Sequence, residues 1–184
     1  MKKTTVLSTA FEMLLRFLGY HLMALVVSFS VLAFCPGVSG AYIAQGFNLG
    51  IILVLPYMSA YKMGNDDINR VKNEIIKQDR FRGFKSGFIA YTPFILVGVL
   101  LIFAKLGVLS EQFLAYYRLL QAPFLPLNQA ILPTVFTLKE IPMSDILISV
   151  SVVVLPPLSV GLGYLFGCED ISFGDTFFPK KKNY

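Results

Sequence analysis

The sequence predicts an all-α integral membrane bundle of four transmembrane helices, because of its composition and its long apolar runs. Of the 184 residues, 55% are apolar and only 15% are charged, and the mean hydropathy is +0.67. Soluble domains carry about 25% charged residues, so a soluble fold is excluded. Disorder is excluded too, because disordered chains have low hydrophobicity. Crossing a bilayer takes about 20 mostly apolar residues, and four stretches are long enough: 13–34, 41–62, 87–106 and 145–167.

The first two spans are predicted to form a helical hairpin. The link between them, 35–40, is short and uncharged and contains Pro36 and Gly37. Proline ends a helix, and glycine supplies the backbone angles that a tight turn needs. The apolar run after Arg16 is longer than the hydrophobic region of a signal peptide. We therefore interpret 13–34 as a retained helix.

The loop 63–86 is predicted to be cytoplasmic and to contain a short amphipathic helix lying against the membrane. The helix would begin after Asn65 or Asp66, either of which can cap a helix start, and would end near Gly83. Its membrane-facing residues have helical spacing: Ile68, Val71 and Ile75.

The outer segment 107–142 is apolar, but Pro123, Pro126 and Pro133 interrupt it. We interpret it as an interfacial helix of about 111–121 followed by an irregular loop. The alternative is a fifth spanning helix within 111–136, which would move the C-terminus to the other side of the membrane.

The distribution of basic residues predicts the orientation of the bundle. Thirteen of the 16 Lys and Arg residues fall on one face of the four-span arrangement, and the positive-inside rule makes that face cytoplasmic. Both termini, including the tail 168–184, would then lie in the cytoplasm of a bacterial cell. Basic residues that flank apolar spans do not indicate nucleic acid as a partner. Cys35 and Cys168 would lie on opposite faces, about 30 Å apart, too far for a disulfide.

Two sets of small residues have the spacing that lets helix backbones approach closely. Gly46 and Gly50 form a G-x-x-x-G pair, and Ser159, Gly163 and Gly167 form two successive steps of the same kind. The longer run is the more specific indication of helix packing. Neither set indicates whether the partner helix belongs to the same chain.

Pro156 and Pro157 lie in the middle of the fourth span. Each proline lacks a backbone N–H, so the carbonyls of Val152 and Val153 lose their helical partners. In lipid such carbonyls need another donor or a water-filled cavity. We interpret the pair as a static kink satisfied by a neighbouring group, and a transport site at a broken helix is the alternative.

Three polar side chains inside the spans are further candidates. Gln45 and Asn48 share one helix face and are interpreted as interhelical hydrogen-bonding residues, with a polar solute path as the alternative. His21 is the one histidine of the chain and has no acidic partner for a triad or a metal site. We interpret it as a neutral imidazole bonded to a neighbouring helix, with a proton relay as the alternative.

The sequence contains no pattern that indicates catalysis. It lacks a nucleophile–base pair, a phosphate-binding loop, a metal-ligand cluster and paired carboxylates, so we predict no enzymatic activity, no metal and no cofactor. The membrane interior contains no Asp or Glu, which argues against a proton-coupled exporter.

Three runs in the second half of the chain resemble a group of uncharacterised bacterial multi-pass membrane proteins. The runs are KSGFIAYTPFILVGVLLIFAKLG, YYRLLQAPFLPLNQ and GLGYLFGCEDISFGDTFFPKKK. That group combines a kinked span, a similar Pro-rich loop and a basic tail. The resemblance implies a bacterial four-span protein with a cytoplasmic tail, and it implies no particular activity.

The function predicted from these features is that of a small non-enzymatic membrane subunit or scaffold. Its partners would be the lipid bilayer and either a second copy or another membrane protein, bound through the small-residue faces. The alternative is a component of a small-solute transporter or channel with a kinked fourth helix at its site. A tightly packed bundle would favour the scaffold, and a water-filled cavity reaching Pro156 would favour the transporter.

Overall fold

The computed structural model describes residues 5–77, 79–131 and 137–169, and every regular element in these ranges is helical. Four helices of the described residues are long and apolar enough to cross a membrane, so the predicted all-helical class and the number of such helices are confirmed. They are Val6–Phe34, Val38–Lys72, Arg82–Lys105 and Met143–Cys168.

Three of the helical runs change type along their length. The first span is α1, Val6–Phe34, and the third is α4, Arg82–Lys105. The second span consists of α2 (Val38–Leu49), a π-helical segment (Gly50–Val54) and α3 (Leu55–Lys72). Between the third and fourth spans lie α5 (Phe113–Leu120), a 3-10 turn (Ala122–Phe124) and α6 (Leu125–Ile131). The fourth span consists of α7 (Met143–Ser151), a 3-10 turn (Val152–Val154) and α8 (Leu155–Cys168).

The α1–α2 hairpin follows from local signals. The Thr5 hydroxyl accepts a hydrogen bond from the Ser8 backbone N–H at 3.2 Å, which starts α1 before the apolar run itself begins. Helix α1 ends at Phe34, and Gly37 then adopts a φ of 91°, a left-handed conformation that glycine adopts without steric cost.

The predicted cytoplasmic amphipathic helix is wrong as a separate element. Helix α3 continues without a break to Lys72, so Asn65 and Asp66 lie inside it and cap nothing, whereas Ile75 lies beyond its end. Gly83 belongs to the first turn of α4. The second helical run is longer than predicted because α3 packs against α8.

The outer segment also differs from its prediction. Residues 113–131, here called the inserted segment, are helical beyond residue 121 and pack against α1, α2, α4 and α7 instead of forming an irregular loop. Tyr117, Gln121 and Asn128 are fully buried, and Phe124 is 1% exposed. The segment is interrupted at Gln121, and it is not among the four helices of the described residues that are long and apolar enough to cross a membrane.

The loop before α7 is held by a single lysine at the end of α4. The Lys105 ammonium donates to the carbonyl oxygens of Leu138, Lys139 and Ile141 at 3.1, 2.7 and 2.6 Å. An ammonium has three donors, and here all three go to backbone. The contact ties the third span to the start of the fourth.

The predicted tail 168–184 begins at the last residue of α8, and from residue 170 onward it lies outside the described residues.

Candidate functional site

The small-residue run of the fourth span packs against α3 of the same chain. A Cβ atom built on Gly163 would lie 2.3 Å from the carbonyl oxygen of Tyr57, and one on Gly167 would lie 2.1 Å from that of Tyr61. The Ser159 hydroxyl donates to the carbonyl of Leu53, in the π-helical segment that precedes α3. Backbone therefore meets backbone along the length of α8.

Helix α3 contributes a matching glycine to this interface. A Cβ atom on Gly64 would lie 2.2 Å from the carbonyl oxygen of Tyr164. The Cys168 thiol donates to the Gly64 carbonyl at 3.6 Å. This glycine is the α3 counterpart of the α8 run. Sequence analysis did not single it out, although Ala60 and Gly64 have the same small-x-x-x-small spacing.

The other small-residue pair, Gly46 and Gly50, has a different environment. Apart from the adjacent residues and the local helix backbone, no atom of the described residues lies within 4 Å of a Cβ built on either glycine. Both line an open lateral groove of about 570 Å³ between α1 and the second span. The remaining lining residues are apolar: Met23, Ile43, Phe47, Ile51 and Leu55. This face is therefore not used for packing within the described chain.

Pro156 and Pro157 are buried at the start of α8. The 3-10 turn before them supplies the Val152 carbonyl with a new donor, the Leu155 N–H. A Cβ atom built on Gly87 of α4 would lie 3.0 Å from the Pro157 carbonyl oxygen, so the kink is closely packed against α4. The groove beside α2 does not extend to these prolines.

Gln45 joins the inserted segment to α2. Its Nε2 donates to the Pro123 carbonyl at 3.3 Å, and its Oε1 accepts from the Leu127 backbone N–H at 3.0 Å. Asn48, one turn further along the same face, donates to the Ser28 hydroxyl of α1 at 2.8 Å. Gln45 and Asn48 therefore both hydrogen-bond to other helical elements, as in the interhelical interpretation. Gln45 makes its bonds to the inserted segment.

The inserted segment contributes three more buried polar residues. The Gln121 Nε2 donates to the Phe94 carbonyl of α4 at 3.0 Å. On α7, the Ser149 hydroxyl donates to Asn128 Oδ1 at 2.6 Å and lies 2.9 Å from the Tyr117 hydroxyl. We call this group the polar layer: Gln45, Asn48, Tyr117, Gln121, Asn128 and Ser149.

His21 lies in an aromatic cluster near the polar layer. Its Nδ1 is 2.8 Å from the Phe17 carbonyl, and its Nε2 is 3.4 Å from the Tyr91 hydroxyl of α4. The imidazole stacks on Phe94 with a centroid separation of 4.0 Å. His21 thus contacts Phe94, whose carbonyl accepts the Gln121 hydrogen bond. Its hydrogen-bond partners in the described chain are the Phe17 carbonyl and the Tyr91 hydroxyl.

A buried ionic cluster joins all four spans at the end opposite the inserted segment. Arg82 donates to Asp67 Oδ2 at 2.8 Å and to the Thr9 hydroxyl at 3.1 Å. The Tyr164 hydroxyl donates to the same Asp67 oxygen at 3.0 Å. We call these four residues the inner node, and each of them is at most 8% exposed.

Sequence analysis missed the inner node because Asp67 and Arg82 were both assigned to the cytoplasmic loop 63–86. A signal was present: two opposite charges flank the short link between consecutive spans. In the ranges 5–77, 79–131 and 137–169, no three His, Cys, Asp or Glu residues are grouped as metal ligands would be.

Comparison of the chain with protein family models, with curated proteins and with solved structures finds no match.

Proposed function

We propose that this chain is a non-enzymatic integral membrane protein that acts as a subunit or scaffold, in a bacterial cytoplasmic membrane with both termini inside. The observation that carries the proposal is the contrast between its two small-residue faces. The face formed by Gly163 and Gly167 packs against α3 of the same chain, whereas Gly46 and Gly50 line an open apolar groove. A G-x-x-x-G face that is free on one chain suits close approach by a helix of another.

We expect Gly46→Leu to leave the bundle folded and to weaken its association with a second copy or another membrane protein. The leucine would enter open space and fill the groove that a partner helix would need. Gly19→Leu is the matched control, because Gly19 is an exposed α1 glycine whose Cβ would also contact no described atom.

The measurement is native mass spectrometry of the protein extracted in lipid nanodiscs, with identification of any co-purifying chain. Wild type and Gly19→Leu should carry the same associated chain, and Gly46→Leu should lose it. If wild type is a lone monomer, or if Gly46→Leu keeps its partner, association through this groove is wrong.

Thiol labelling tests the proposed orientation of the chain in the membrane. A membrane-impermeant thiol reagent added to intact cells should label Cys35, which is half-exposed after α1, and should leave Cys168 unlabelled. After cell lysis both should react. Labelling of Cys168 from outside would overturn the proposed orientation.

A second candidate function, a component of a small-solute transporter or channel, is favoured by the polar layer. Buried amides and helix breaks at similar depth are common features of transporter sites. The close packing around Pro157 argues for the scaffold. If Pro156→Ala with Pro157→Ala abolished a measured flux in a folded protein, the second candidate would replace the first.

A further inference from the structure

We propose that the link between the second and third spans binds the headgroups of anionic phospholipids in preference to those of zwitterionic ones. The residues that would contact lipid are exposed, and we call them the link surface: Lys72, Ile75, Lys77, Arg80 and Phe81. Lipid selection of this kind goes beyond the scaffold function and does not depend on it, since a bundle without a partner would still make these contacts.

The three cations of the link surface form no ion pair within the described chain. None of Lys72, Lys77 and Arg80 takes part in a salt bridge or a side-chain hydrogen bond with a described residue. Arg82, which follows the link, instead binds Asp67 in the inner node at 2.8 Å. The unpaired positive charge therefore belongs to the link surface and not to the inner node.

The opposite end of α4 shows a different arrangement of its basic residues. Lys105 donates to three backbone carbonyls, and Lys139 pairs with Glu111 at 3.1 Å. Both ends expose large apolar side chains, since Phe81 is 65% exposed and Val108 is 69% exposed. Apolar exposure is therefore common to both ends, and unpaired cations distinguish the link surface from Lys105 and Lys139.

The acidic residues of the link do not neutralise these cations. The link 73–81 contains two acids, Glu74 and Asp79. Asp79 accepts from the Lys85 ammonium at 2.9 Å and from the Phe81 backbone N–H at 3.1 Å. Its charge is therefore matched by Lys85, which lies outside the link surface. Glu74 can offset one of the three cations, which leaves the surface positively charged.

The turn that ends α3 leaves one apolar side chain of the link surface unpacked. The Ile75 N–H donates to the Arg70 carbonyl and the Glu74 N–H to the Val71 carbonyl, both at 2.9 Å. These two bonds are those of a Schellman motif, in which an apolar residue at the position of Ile75 commonly packs against the residue at the position of Arg70. Here that counterpart is charged, and Ile75 stays 45% exposed. The turn therefore presents an apolar side chain three residues from Lys72.

Apolar and cationic side chains are interspersed along the link, and this combination favours a lipid as the ligand. The link joins two helices that are long and apolar enough to cross a membrane, so in a bilayer it would lie at the surface. Lysine and arginine near that surface attract anionic headgroups, and Ile75 and Phe81 can enter the boundary of the acyl chains. A free phosphate ion or a nucleic acid would use the charges and leave the apolar side chains in water. A zwitterionic headgroup also carries a phosphate, but its own cation cancels the attraction.

A single tryptophan can report the lipid composition around the link surface. The chain contains no tryptophan, so Phe81→Trp places one reporter just before α4, and Val108→Trp places one beyond its other end. Both positions are exposed. Each full-length protein is reconstituted in nanodiscs of equimolar phosphatidylglycerol and phosphatidylcholine, in which only one of the two lipids carries a nitroxide quencher near its headgroup. The ratio of the two quenching efficiencies gives the local ratio of the lipids.

We expect phosphatidylglycerol to be enriched roughly fivefold or more around position 81, because one Lys or Arg near the membrane surface contributes about that factor. Around position 108 we expect the two lipids in nearly equal amounts. Equal quenching by the two lipids at position 81 would overturn the proposal, and so would the same enrichment at position 108.

Removal of two cations tests whether their charges cause the preference. Lys77→Gln with Arg80→Gln, made in the reporter protein, should bring the local lipid ratio at position 81 close to one, because one cation and one acid then remain. Lys139→Gln is the matched control: it removes the charge of a lysine whose side chain is 76% exposed at the other end, and it should leave the ratio at position 81 unchanged. Enrichment that survives in the double variant would contradict the role given to these cations.

Inorganic phosphate distinguishes a lipid headgroup from a free anion as the ligand. Sodium phosphate should lower the enrichment at position 81 no more than sodium chloride of the same ionic strength does, because screening is then the only effect of either salt. A loss of enrichment in phosphate alone would overturn the proposal in favour of a site for free phosphate.

Discussion

Replacing Gly163 by leucine is expected to destabilise the folded bundle by about 3 kcal/mol or more, the upper end of the overpacking range. The β-carbon alone would lie 2.3 Å from the Tyr57 carbonyl oxygen, so α3 and α8 would have to separate. These two helices share the most extensive contact in the molecule as described. The free energy of unfolding in mixed micelles, followed by circular dichroism, measures the effect.

Gly19→Leu is again the control, because the same side chain would there meet no described atom. Gly163→Ala should already lose much of the stability, since the clash begins at the β-carbon. Equal unfolding free energies for Gly163→Leu and Gly19→Leu would contradict the observed α3–α8 interface.

Asp67→Ala is expected to cost about 3–5 kcal/mol, the range for removing one partner of a buried ion pair. The substitution takes away the carboxylate that receives both Arg82 and Tyr164. The Arg82 guanidinium, 8% exposed, would then be buried without its counter-charge. Since the node joins all four spans, the loss should appear in the unfolding free energy of the whole bundle.

The double variant Asp67→Ala with Arg82→Met should recover part of this loss, because it removes the charge along with its partner. Glu12→Ala is the control for an exposed pair: Glu12 binds Arg16 on the surface of α1, and exposed pairs contribute about 0–1 kcal/mol. If Asp67→Ala cost no more than Glu12→Ala, the inner node would have no structural importance.

The number of spans was predictable, and their ends were less so. Apolar runs identify the four helices because the bilayer dictates their length. The end of the second span was placed near residue 62 because polar residues begin there. Helix α3 continues to Lys72 because Gly64 fits against α8 and Asp67 finds Arg82 and Tyr164. Those partners are distant in sequence, so no local pattern reveals them.

The inserted segment was hardest to predict. Its prolines are typical of an irregular loop, so the prediction placed Gln121 at the end of an interfacial helix and Asn128 in the loop that follows it. Both are buried: Gln121 donates to the Phe94 carbonyl of α4, and Asn128 accepts from the Ser149 hydroxyl of α7. Gln45 of α2 binds the backbone of the same segment at Pro123 and Leu127. Side-chain hydrogen bonds of this kind have no periodicity that sequence analysis could detect.

The two glycine pairs show what residue spacing alone cannot predict. Gly46 and Gly50 have the same spacing as Gly163 and Gly167, yet one pair faces a groove and the other faces a neighbouring backbone. Spacing identifies a surface that permits close approach, whereas the topology decides which surface is used within the chain.

The π-helical segment Gly50–Val54 sets the rotational phase of the second span. A π turn holds one residue more than an α turn, and one residue corresponds to about 100° around the axis. The segment thus rotates α3 relative to α2, and Gly64 reaches α8 while Gly46 and Gly50 point away from it. Loss of one residue here would turn Gly64 and Asp67 from their partners together. The number of residues in this segment is therefore constrained more tightly than their identity.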